Sequence, residues 1–124
     1  MTHLSARPLA ALALLALATP ALAAPPPVGS EDWKIMAPYK EWVTGQHDLA
    51  GRWCCDIADG RPVDARVVGD HWEAHVTPQH FPGEADRWVV VPEDKITRSV
   101  NPMGTPILWL YQGRVQCFAP PDGA

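Results

Sequence analysis

Three cysteines constrain this chain more than any other feature: an adjacent pair in Trp53-Cys54-Cys55-Asp56, and Cys117 sixty-two positions after Cys55. A bridge from Cys117 to the pair would close a loop of about sixty residues and stabilise by ~4 kcal/mol in the chain-entropy treatment. Adjacent residues of an extended segment point to opposite sides, so only one of the pair can reach Cys117. The expectation is one intramolecular disulfide, Cys117 with Cys54 or Cys55. The odd count then leaves one free or intermolecular thiol.

A disulfide needs an oxidising compartment, and residues 1–23 read as the signal peptide that would take the chain there. Arg7 supplies a positive start, Leu9 to Ala18 an unbroken apolar run, and Ala21-Leu22-Ala23 small residues for cleavage. The run is well short of the ~20 residues that span a bilayer, so no stable membrane span is expected after its removal. No Cys follows the cleavage region to accept a lipid anchor. With Arg7 gone from the ten Lys and Arg, fourteen Asp and Glu remain, and the net charge moves from −4 to about −5. An acidic chain without a basic cluster offers no electrostatic footprint for nucleic acid. Residues 24–30, with Pro25, Pro26 and Pro27, suggest a mobile Pro-rich tether. Residues 31–121 then form one small domain, large enough for a core but a thin one.

Within that domain Ser30-Glu31-Asp32 can cap a short helix. Pro38 limits it, and residues 39–43 continue helically to Gly45, with Trp33, Met36 and Val43 pinning the segment to the body. Residues 63–76 form the clearest hairpin. With Gly69-Asp70 as a two-residue turn of type II′, Val67 faces Trp72, Ala65 faces Ala74 and Val63 faces Val76 on one apolar side. Arg66 then faces Glu73, and Asp64 faces His75, on the other. Arg87 to Val91 is a third strand, stopped by Pro92, and Asn101-Pro102-Met103-Gly104 has the residue order of a type I turn. A second hairpin turns at Gln112-Gly113. A regular register pairs Leu110 with Val115 and Leu108 with Cys117, leaving Trp109, Tyr111 and Phe118 with Arg114 on the opposite face. The expected fold is mainly β: a small antiparallel sheet of about five strands, as a half-barrel or two-layer sandwich, with a short N-terminal helix and one disulfide.

Two surfaces then carry a functional reading. Trp109, Tyr111, Arg114 and Phe118 would form an aromatic face, either a second core layer or a binding surface for a protein partner of the envelope or the exterior. His71, Glu73 and His75 alternate along one strand, so all three side chains share a face and could hold Zn²⁺ or Cu²⁺. Their order matches neither metalloprotease motif, and pairing with Arg66 and Asp64 explains them as a solvated strand face. Asp56 to Gly60 lacks the ligand ladder of a calcium loop. A thiol enzyme built on Cys54 or Cys55 with His47 is the remaining catalytic arrangement, and a disulfide better accounts for those cysteines. No cofactor is implied.

Cys54-Cys55, Ala58-Asp59-Gly60, Trp88 with Val91-Pro92, Asn101-Pro102-x-Gly104, Trp109 and Cys117-Phe118-x-Pro120 together resemble a group of small exported bacterial proteins without an assigned role. The resemblance spans residues 47–121. That group often carries further cysteines where Gly60 stands and near Trp109, which this chain lacks, so a second disulfide is not expected. The resemblance implies export and a disulfide, and no activity. The combined expectation is a non-enzymatic periplasmic or secreted domain that interacts with, or builds, the cell envelope, with a periplasmic metal-binding protein as the alternative.

Overall fold

The computed structural model describes residues 25–54 and 59–121. The expected signal peptide, Cys55 and most of the acidic stretch after it lie outside the described residues. Two short helices come first. In α1 (Glu31–Met36) the Ser30 hydroxyl accepts the Trp33 N–H at 3.2 Å, and Glu31 and Asp32 sit in the first turn. A single 3₁₀ turn containing Pro38 leads into α2 (Lys40–Thr44), which ends where the Gly45 N–H reaches back to the carbonyls of Glu41 and Trp42. Met36 and Val43 are fully buried. Ahead of α1, Pro26 is also fully buried and Pro27 O accepts the Ser30 N–H. Within the expected tether, then, Pro26 is an anchoring point, while Pro25, Pro27 and Val28 on either side of it are exposed.

Among the described residues six strands follow, in two three-stranded antiparallel sheets. The first is ordered β1 (Gly60–Pro62), β5 (Ile107–Tyr111), β6 (Arg114–Ala119). The second is ordered β2 (Ala65–Val68), β3 (His71–Val76), β4 (Arg87–Val91). The β2–β3 register is the expected one, with Ala65 opposite Ala74, Arg66 opposite Glu73 and Val67 opposite Trp72. Gly69 takes φ +61° and Asp70 stays outside the left-handed region, which fits the type II′ turn. At the second hairpin Gln112 and Gly113 both have positive φ, 50° and 73°, the type I′ signature.

Beyond that turn the second hairpin departs from a regular ladder. Tyr111 pairs with Arg114 and Leu110 with Val115, but then Trp109 pairs with Cys117 and Leu108 with Phe118. Gln116 is the extra residue of a β-bulge, and every side chain of β6 after it changes face. Leu108 and Cys117 thus point apart, correcting the expected pairing.

Both faces of the first sheet are consequently covered. On one, Ile107, Trp109, Cys117 and Ala119 pack against Met36, Val43 and Cys54, with Trp42 alongside. On the other, Leu108, Leu110 and Phe118 pack against Ala74, Val76 and Val91 of the second sheet, joined by Val63 and Phe81. The order of layers is helices, first sheet, second sheet. The Cys54–Cys117 disulfide joins the loop after α2 to β6 inside the first core, which settles the partner of Cys117. Packing there is close: a Cβ on Gly60 would lie 3.1 Å from Trp109 Nε1 and 3.2 Å from Met36 Cε.

The outer edge of β6 is covered by the chain itself. Thr97 N–H donates to Phe118 O at 2.9 Å, and Leu49 N–H to Ile96 O at 2.9 Å, so residues 96–98 and then 47–49 extend the first sheet. Asp48 holds this extension. Its side chain is buried; the Arg52 backbone N–H and Nε each donate to it at 2.9 Å, and Arg52 Nη2 continues to Asp94 at 2.6 Å. Burial by itself pushes the Asp48 carboxyl up, but the Arg52 hydrogen bonds and charge outweigh it and hold the carboxyl below its usual range. A lowered folded pKa makes this contribution complete above the unfolded value near 3.8, and it is lost as the pH falls through the folded value. Asp48→Asn should therefore cost about 1.5–3 kcal/mol at pH 7, by the worth of hydrogen bonds to a charged group. In thermal melts against pH, the gap between wild type and variant should close progressively below about pH 4. A gap that stays constant down to pH 2 would contradict this role.

Candidate functional site

Among the described residues the layer order leaves one sheet face uncovered, the outer face of the second sheet. Strand alternation sends Ala65, Trp72, Ala74, Val76, Val89 and Val91 inward. The same alternation places Arg66 of β2, His71, Glu73 and His75 of β3, and Trp88 and Val90 of β4 on the outer face. The β3–β4 register sets His75 directly opposite Trp88 and Glu73 opposite Val90.

These side chains interlock. The His75 imidazole stacks on the Trp88 indole with centroids 4.7 Å apart and planes 6° from parallel. The Arg66 guanidinium lies over the same indole, its Cζ 3.9 Å from the ring centroid. Arg66 Nε and Nη2 also donate to Glu73 Oε1 at 3.0 and 2.7 Å. The Arg66 hydrogen bonds hold the Glu73 carboxyl below its usual range, against burial and with His71 assisting. His75 Nε2 lies 2.8 Å from Asp86 Oδ1 and His71 Nε2 3.4 Å from Glu73 Oε2. This lattice presets the side chains of a solvent-facing surface. Beside it Trp88 is 37% and Val90 56% exposed.

The residues singled out from the sequence fall differently. Trp109 and Phe118 are both fully buried, Trp109 in the first core and Phe118 in the second, 5.6 Å centroid to centroid from Trp72. They sit on opposite faces of their sheet because of the bulge at Gln116, so the expected aromatic binding face does not exist. Tyr111 and Arg114 remain exposed, paired with each other at the tip of the second hairpin. His71, Glu73 and His75 do share a face; His71 reaches Glu73, while His75 turns away to Asp86 and Trp88. Among the described residues, no three His, Cys, Asp or Glu side chains gather into a metal-binding group. His47 Nδ1 lies 3.2 Å from Gly45 O.

One further polar cluster ties layers together. His80 Nδ1 lies 2.8 Å from Asp32 Oδ2, linking the loop after β3 to α1. Arg61 of β1 is buried nearby; burial pushes its guanidinium down while Asp32 and Asp59 push it back up.

The exposed position of Trp88 is what sequence reading missed. Its signal was available in the alternation of Arg87 to Val91, which puts Trp88 and Val90 on the polar side of the sheet. Among the described residues no helix is long and apolar enough to cross a membrane. Comparisons of the chain with protein-family models, with curated proteins and with solved structures find no match.

Proposed function

We propose that this chain is an exported, non-enzymatic interaction module of the periplasm or cell exterior, and that it meets a protein partner of the envelope through the outer face of its second sheet. The observation that carries the reading is the Trp88 indole, held between contacts to Arg66 and His75 at the solvent surface beside exposed Val90. Aromatic and Arg side chains are the groups most often found at the energetic centre of interfaces, and a prearranged surface loses less side-chain entropy on binding. Export is supported by the leader-like residues 1–23, by the resemblance to small exported proteins, and by the Cys54–Cys117 disulfide, which favours an oxidising compartment.

The test is a photo-crosslinking amino acid placed at Val90 in the exporting cell, with the same probe at exposed Val100 as control. A discrete adduct at Val90 is expected, reduced at least tenfold by Trp88→Ala in a protein that keeps its melting temperature. Absence of an adduct, or one equally strong from Val100 and insensitive to Trp88, would remove the reading.

A further inference from the structure

The open edge of β2 says more about what this surface takes. Val68 and His71 flank the two-residue turn, so they form a hydrogen-bonded pair, and such pairs recur at every second residue. The His75 N–H donates to Asp64 O at 2.9 Å, in the same phase. Asp64, Arg66 and Val68 therefore direct their backbone groups to β3, while the N–H and C=O of Ala65 and Val67 point to the other side. Among the described residues no segment pairs with β2 there. The chain treats β6 otherwise, covering that edge with residues 96–98.

Open edges are commonly guarded by a charge, a proline or a bulge. On β2 the one charge, Arg66, is drawn back over Trp88 and onto Glu73, and Val67 beside it is 61% exposed. The two ends of the edge are acidic: Asp64 is exposed, and the Asp70 side chain is fully so.

We propose that the edge of β2 is a strand-addition site for an extended peptide with an apolar centre and a basic residue at each end, resting on the reading that the second sheet is the interaction surface. The added strand pairs with the outward backbone groups of Ala65 and Val67, an apolar side chain covers Val67, and the basic ends meet Asp64 and Asp70. The added strand would continue the outer face that carries Arg66 and Trp88.

The probe is a capped octapeptide with Lys at each end and Val alternating with Thr between, titrated into the isotope-labelled protein. Amide shifts are expected to centre on Ala65 to Gly69. Val67→Pro removes an outward N–H and no bond of the β2–β3 ladder, and should weaken binding at least tenfold. Val67→Lys, at an exposed position, should do the same by setting a like charge against the peptide if proline disturbs the strand. Shifts centred elsewhere, or both variants binding as wild type does, would overturn the site. A Val90 adduct that persists in that case confines the failure to the edge, whereas its loss removes the wider reading with it.

Discussion

Replacing Cys54 and Cys117 together by Ala should lower the unfolding free energy by about 4 kcal/mol in urea titrations, the chain-entropy value for a bridge of this span. The two residues are 63 apart in sequence, and both are buried in the first core. Without the bridge the unfolded chain regains the freedom of that loop, while the folded chain keeps two small buried side chains at the same places. Domains of this size hold only about 5–15 kcal/mol in total, so the reduced or substituted protein should melt far below the oxidised one. Cys54 links the loop after the helices to the last strand, so its loss should first release the helical layer. Hydrogen exchange should therefore quicken in α1 and α2 before it quickens in β3. A change below about 1 kcal/mol would mean that the bridge closes a segment already ordered without it.

Trp109→Ala should cost about 3–5 kcal/mol, the range for deleting a large buried aromatic side chain. The indole is fully buried, tilted against Trp42 at 6.5 Å between centroids, and packed in the cluster that holds the disulfide. Phe118→Ala should cost a similar amount from the other face of the sheet, where Phe118 meets Trp72. Tyr111→Ala, at 49% exposure, should change stability by less than about 1 kcal/mol. The three substitutions together separate two buried layers from one exposed aromatic face, which would give three small effects. Trp109→Ala combined with loss of the disulfide should fall short of additivity, because both act within one core.

The two hairpins show how far the sequence could be read. In the first, one apolar side and one charge-paired side admit a single register, and Gly69 marks the turn, so the ladder from Ala65 to Ala74 follows directly. In the second, Ile107-Leu108-Trp109-Leu110 is apolar on both sides and fits either register equally well. Nothing in the local pattern marks Gln116 as a bulge; the choice is made by tertiary packing, which has a helical layer on one side and a second sheet on the other to satisfy. The same ambiguity hid the surface. Trp109 and Phe118 look like a face only if their sheet has an open side, and Trp88 looks structural until β4 is known to be an edge with solvent beyond it. β1 was illegible for a different reason, since Gly60-Arg61-Pro62 has no strand propensity and is extended because it pairs with Ile107 to Trp109.

Hydroxyl-radical footprinting of the oxidised protein, read residue by residue by mass spectrometry, tests this arrangement most directly. Oxidation of Trp88 should proceed at once, while Trp109 stays protected until denaturant unfolds the domain. Rapid oxidation of Trp109 in the folded protein with Trp88 protected would contradict it, returning the exposed aromatic face to the second hairpin.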